Sequence, residues 1–225
     1  MRSKDDEIIY FASEFHLVTR AHLAVLTGRN PKSLNESLRR LVRQGRLYGA
    51  AQGSYKPHVY ATYDIRRRQH FEHDIAITEA HIALYKTGRL IEWQQKMEKR
   101  KGEVNEDAVF YLTVPMPERV GRIKYYFELD TGTEPAWQID DKLARYRALR
   151  GQVAEPFNVL FVCLDKERDQ RLATRAQKFV DKQNSADWKL FLFTSLEELL
   201  TNTQEAICAI AYGSNTYPIA PNLLS

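Results

Sequence analysis

The chain has 225 residues, 44% of them hydrophobic, and a net charge of +4. That length suffices to bury a core in one or two domains, and the two cysteines, Cys163 and Cys208, sit in separate apolar runs as small buried side chains of a reduced, cytoplasmic protein. The start, Met1-Arg2-Ser3-Lys4-Asp5-Asp6-Glu7, is too acidic for a signal peptide, and no stretch approaches the about 20 apolar residues of a membrane span.

The modest net charge hides an asymmetry. Residues 20–68 hold eleven Lys or Arg against only Glu36 and Asp64, a local +9 that leaves −5 for the rest. A basic module joined to a mildly acidic one implies that the first part meets a polyanion. Helical spacing covers residues 5–15. Thr19 is placed to cap a second helix over 20–26 that stops at Gly28, and Asn30-Pro31 reads as cap and first position of a third that runs to Gly45. In that third helix Leu34, Leu38, Leu41 and Val42 form an apolar stripe. Arg46 to Gly49 and Val59 to Tyr63 then flank a turn-rich segment as a hairpin, with Tyr48, Tyr55, Tyr60 and Tyr63 packing the wing.

Three helices and a hairpin are the pattern of a winged helix-turn-helix, here expected over residues 1–66. Its third helix would enter the major groove of double-stranded DNA with Lys32, Ser33 and Asn35 near the groove-facing end. Arg39, Arg40 and Arg43 would contact phosphates or bases, and Lys56 in the wing the backbone. The plainer reading of the same residues is a solvated basic face on an interaction module.

After Arg66-Arg67-Arg68 the pattern changes. A helix over 70–87, strands near 90–93, 108–114 and 123–130, a helix over 137–149 and a continuous apolar strand over 157–164 follow. A helix over 168–183, a strand over 188–193, a short helix over 195–201 and a last strand near 206–211 complete the chain before a tail at 214–225. The order helix, three strands, helix, strand is the core order of the restriction-endonuclease-like fold. The expected class is therefore α/β: a winged helix followed by a restriction-endonuclease-like domain with a mixed central sheet over 67–213.

Chemistry concentrates in this second part. On the strand ending Phe127-Glu128-Leu129-Asp130, Glu128 and Asp130 share a face, and Asp107 opens the neighbouring strand. Carboxylates gathered in one cleft repel one another unless a cation or a shared proton relieves them. The structural alternative is that Asp130 bonds the amides of the following Thr131-Gly132-Thr133 turn and Glu128 pairs with an Arg of the 138–150 helix. His70, His73, Asp74 and His81 have metal-ligand spacing on one helix, but no second pair completes a closed zinc site.

The blocks Glu72-His73-Asp74-Ile75-Ala76, Glu106-Asp107-Ala108, Phe127 to Thr133 with Lys142-Leu143-Ala144-Arg145-Tyr146, and Phe191 to Leu196 resemble the replication-relaxation family. The resemblance implies DNA replication and relaxation or mobilisation on plasmids and mobile elements, and a PD-(D/E)XK nuclease-like domain that is often degenerate. Carried over, Asp107 and Glu128 take the two metal-binding positions for Mg²⁺ or Mn²⁺. The third position holds Asp130 where the pattern has Lys, and Lys142 on the following helix is the candidate migrated lysine. Glu79 is a weaker additional acid. Three functions follow as expectations. One is a DNA-binding accessory protein whose partners are double-stranded DNA, a relaxase, replication protein or other mobile-element factor, and a second copy of itself. The second is a metal-dependent endonuclease using Asp107, Glu128, Asp130 and Lys142. A winged-helix transcriptional regulator is the third.

Overall fold

The computed structural model describes residues 3–51, 58–65, 71–95, 104–116, 119–182 and 190–202. Lys56, Arg66 to Arg68, His70, the beginning of the 188–193 strand, the 206–211 strand, Cys208 and the 214–225 tail lie outside them. The chain divides into two compact units, Met1–Ile82 and Ala83–Ser225.

The first unit runs α1 (Lys4–Glu14), β1 (Val18–Thr19), α2 (Arg20–Thr27), α3 (Pro31–Arg43), β2 (Tyr48–Ala50), β3 (Val59–Ala61) and the greater part of α4 (Phe71–Lys86). Helices α1, α2 and α3 each start where a side chain satisfies an orphan amide. Ser3 accepts from the Asp6 N–H, and Asn30 from the Lys32 N–H at 2.8 Å with Pro31 at the first helical position. Thr19 and His22 cap α2 reciprocally: the Thr19 hydroxyl accepts from the His22 N–H at 3.1 Å, and the Thr19 N–H donates to His22 Nδ1 at 3.2 Å. Gly28 then ends α2 at φ +64°, a left-handed conformation that side chains resist. The strands pair antiparallel in the order β1-β3-β2, with Val59 opposite both Thr19 and Ala50. Ile8, Leu17, Leu23, Leu34, Leu38, Leu41 and Leu47 fill the core. The third-helix stripe differs in one place from the periodicity: Ser37 is buried, and Val42 is 38% exposed.

The division at Ile82 differs from the boundary at residue 66 that composition suggests. Packing explains it. Thr78 Oγ1 donates to the Leu17 carbonyl at 2.9 Å, and His81 stacks on Phe15 with ring centroids 4.4 Å apart. Burial pushes the His81 pKa down to about 3, so it is a neutral packing side chain and not a charged ligand. The run Arg66-Arg67-Arg68 marks a change of composition, while the packing of α4 carries the first unit sixteen residues further.

The second unit is a five-stranded mixed sheet in the order β4-β5-β6-β7-β8, made of Leu90–Gln95, Ala108–Met116, Arg119–Asp130, Phe157–Cys163 and Phe191–Ser195. β4, β5 and β6 are antiparallel, and β7 and β8 run parallel to β6. Helices α5 (Ala136–Gln152) and α6 (Lys166–Lys182) make the parallel crossovers, and α7 (Leu196–Thr201) follows β8. Helix, three strands, helix, strand is thus the observed order. β7 is buried on both faces, which is why its sequence is apolar without alternation. Ile139, Leu143 and Tyr146 of α5 and Leu172 and Ala176 of α6 close over Phe157, Val159, Phe161 and Cys163. On the opposite face, Trp93 and Tyr125 stack on Phe110, and Phe127 meets Trp93 and Phe110 at steep angles, with centroids 5.0–6.5 Å apart. Among the described residues no helix is long and apolar enough to cross a membrane.

Because the α2 cap works from both sides, Thr19→Ala should cost about 1 kcal/mol of unfolding free energy in urea denaturation, while Thr19→Ser should cost less.

Candidate functional site

Two places bring polar chemistry together, one in each unit. In the first, α3 presents Asn35, Arg39, Val42 and Arg43 to an open groove of about 920 Å³. Arg20 and Ala21 of α2, Gly49 of β2, and His58 and Tyr60 of the β3 arm form its other walls. Asn35, Arg39 and Val42 fall at i, i+4 and i+7, so they stand one above the other along the helix. Arg20 Nη1 donates to Asn35 Oδ1 at 3.1 Å, which orients the amide.

Other arginines of the module are committed elsewhere. Arg40 makes a two-pronged pair with Asp5 of α1, with Nη2 to Oδ1 at 2.7 Å and Nε to Oδ2 at 3.1 Å. Arg46 pairs with Asp6 at 2.7 Å, and Arg29 donates to Ser37 Oγ and the Lys4 carbonyl. Arg40 therefore belongs to the α1 side of the helix and not to the groove, contrary to the reading of its charge alone. Lys32 and Ser33 are exposed at the first turn of α3, outside the groove lining, with Ser33 Oγ bonded to the Asn30 carbonyl. The groove gains two residues that the sequence pattern does not single out, Arg20 and His58, and it takes Tyr60, which that pattern assigns to packing the wing. Only the pairing of β3 with β2 and the seating of α2 beside α3 bring them there.

In the second unit, Glu128 is buried on β6 at 2% exposure. Lys142 Nζ donates to its Oε2 at 2.8 Å, and the Tyr146 hydroxyl donates to its Oε1 at 2.5 Å. Lys142 also bonds Glu134 Oε1 at 2.8 Å. Lys142 and Tyr146 are i and i+4 on α5, so one helix face delivers both donors. Asp107 sits at the head of β5, where its N–H donates to the Phe127 carbonyl and its Oδ2 accepts from the Leu129 N–H at 2.8 Å. Burial pushes Glu128 up to about 7, opposed by Lys142 and aided by the Asp107 charge. Burial alone would lower Lys142, but Glu128 and Glu134 raise it further, and it stays an ammonium.

Asp130 leaves this group. Its Oδ2 accepts from Arg168 Nε at 2.7 Å and its Oδ1 from the Gly132 N–H at 2.9 Å, while Arg168 also donates to the Glu134 carbonyl. It holds the turn and α6 in place and does not join Glu128 as an auxiliary acid. Glu79 lies in the first unit, 4.0 Å from His22 Nε2. Cys163 is a free, buried thiol that burial and Asp130 push up to about 12.

The arrangement does not fit a divalent ion. Both Glu128 oxygens hold protein donors, an ammonium already neutralises Oε2, and Asp107 Oδ2 is engaged by a backbone amide. Among the described residues no three acidic, His or Cys side chains converge as metal ligands. What the geometry provides is a charge-compensated polar cluster under α5.

A family model described as replication-relaxation matches residues 45–162, just over half of the chain. Two solved structures of the restriction endonuclease FokI are similar to it in part. One aligns at 11% identity and a TM-score of 0.36, and the other, FokI bound to DNA, at 14% and 0.33. Each alignment covers 92% of this chain and 44% of FokI, so the chain spans less than half of that enzyme's length. No curated protein matches the sequence.

The buried carboxylate has a pH signature. A folded pKa raised above the ordinary value near 4.5 means that stability is fully present below that value and declines as pH rises toward about 7. The unfolding free energy of the native protein relative to Glu128→Gln should therefore fall between pH 5 and pH 8, by on the order of 1–3 kcal/mol in urea titrations.

Proposed function

The chain belongs to the replication-relaxation family, and from that premise we propose that it is a duplex-DNA-binding accessory protein of plasmid or mobile-element replication, relaxation or mobilisation. On this reading the first unit is a winged helix-turn-helix and α3 its recognition helix. The observation that carries it is the groove in which Asn35, Arg39 and Arg43 of α3 meet Arg20 of α2. Acids of α1 neutralise Arg40 and Arg46 on one side of the module, so the uncompensated positive charge concentrates on the groove side. Phosphate contacts from Arg39 and Arg43 supply affinity, and Asn35, steadied by Arg20, is the group suited to read a base edge. The second unit acts as a nuclease-like scaffold that engages a relaxase, replication protein or other mobile-element factor. A homodimer on a two-fold DNA site is compatible with this role.

Arg39→Ala combined with Arg43→Ala should weaken duplex binding and flatten the dependence of log K on log salt by about 0.9 for each phosphate that is no longer neutralised. Arg40→Ala, which removes a surface ion pair with Asp5, should leave that slope close to native with little change in stability. Equal slopes for the double variant and the native protein in electrophoretic or anisotropy titrations would sink the proposal.

One observation favours a second reading, a Mg²⁺- or Mn²⁺-dependent endonuclease: Lys142, displaced from the strand to α5, does reach Glu128. Supercoiled plasmid incubated with either cation separates the two. The accessory role predicts a shifted but intact plasmid for both the native protein and Glu128→Ala, whereas nicking by the native protein alone would establish the nuclease.

A further inference from the structure

The face of β6 that carries Glu128 beneath α5 continues toward the β5–β6 hairpin, where it holds a different set of side chains. Tyr111 of β5 pairs in register with Lys124 of β6, and Lys124 in turn pairs with Phe157 of β7. The Arg122 guanidinium lies over the Tyr111 ring, 3.6 Å from its centroid. Lys124 Nζ stands 5.2 Å from the Tyr126 ring and 6.0 Å from that of Tyr111. At the far end, Arg150 of α5 lies over Phe157 at 5.6 Å. Arg122, Lys124 and Arg150 thus form a row of cations backed by aromatic rings on one sheet face, and the Arg122 side chain is 50% exposed.

The acids in this row orient the cations. Glu92 takes one edge of the Arg122 guanidinium at 3.1 Å, and Glu155 holds Lys124 at 3.4 Å and the Tyr111 hydroxyl at 3.3 Å. Unlike the two-pronged Arg40–Asp5 pair, each of these is a single, longer contact, and such partly exposed pairs are worth only about 0–1 kcal/mol, so a phosphate can displace the carboxylates at little cost. The Arg122 guanidinium lies against the Tyr111 ring while half of its side chain meets solvent, so it is held in place and still offers surface to a base. Arg122 and Lys124 alternate on one strand, about 7 Å apart along it, a repeat that suits successive nucleotides of an extended strand.

We infer that this face is a second nucleic-acid contact, specific for single strands: a base stacks on the outer plane of Arg122 while Lys124 and Arg150 take the phosphates. Charge complementarity and an accessible stacking plane favour this occupant. The bases of a duplex are already stacked and cannot use that plane, whereas an unpaired base can. The inference is independent of the first-unit groove, and it would let one chain hold duplex and melted DNA at once.

The test uses the full chain carrying Arg39→Ala and Arg43→Ala, so that the groove contributes little, with fluorescently labelled oligo(dT) and a duplex of equal length at low salt. Adding Arg122→Ala and Lys124→Ala should lower oligo(dT) affinity by about tenfold or more and flatten its salt slope by about 1.4, that is about 0.7 for each of two phosphates. Arg122→Lys keeps the charge and removes the plane, so it should weaken affinity by about fivefold or more with the slope retained. A parent that binds no oligo(dT) would overturn the inference in favour of a protein partner. An equal weakening on duplex, or an Arg122→Lys variant indistinguishable from its parent, would also overturn it. Arg122 is a surface residue, and Arg122→Lys carries the test alone if the double alanine variant melts early.

Discussion

The buried carboxylate of Glu128 is the constraint around which the second unit is arranged. Removing a carboxylate from water costs several kcal/mol, offset only where opposite charge and hydrogen bonds are brought to it in good geometry. α5 does this with Lys142 and Tyr146, and the same helix buries Ile139 and Leu143 against β7. The polar pair and the apolar contacts demand one rotation of α5 about its axis, so they specify its seat together. Two residues later Asp130 does the same for α6 through Arg168. One strand end therefore anchors both crossover helices, and the two acids that invite a shared metal reading are drawn to separate cations.

That separation bears on function. A metal-dependent nuclease needs carboxylate lone pairs turned toward a solvent-reachable ion and a cation held close by without quenching them. Here the ammonium of Lys142 rests directly on Glu128, and Glu134 shares it. A cluster so compensated ties α5 to β6 through two donors on one helix face. The first unit uses the same device at its surface, where Asp5 and Asp6 of α1 draw Arg40 and Arg46 to one side and leave Arg20, Arg39 and Arg43 facing the groove. In the first unit acidic residues thus decide which cations face the groove.

Much of the architecture was legible from local chemistry. Thr19, Gly28, Asn30 and Pro31 announce their helix ends because capping is a matter of neighbouring residues. The unbroken apolar run at 157–163 announces a strand covered on both faces. Val42 illustrates where periodicity stops: it continues the leucine stripe, yet it is 38% exposed and lines the groove instead. Arg40 and Arg43 look alike in the sequence, and only Asp5, thirty-five residues away, distinguishes them.

By itself, then, the sequence determined the element order, the basic character of the first module, the identity of the acids on β5 and β6, and the family. These depend on short-range propensity, on composition and on motifs read along the chain. The tertiary structure alone decided which charges meet. Lys142 reaches Glu128 and Asp130 goes to Arg168 because α5 and α6 cross the sheet at one particular rotation, and ion pairs form at about 3 Å whatever their separation in sequence. The same holds for the unit boundary inside α4, placed by Thr78 on Leu17 and His81 on Phe15. Partner choice among charged side chains is set by distance in space, which spacing along the chain does not encode.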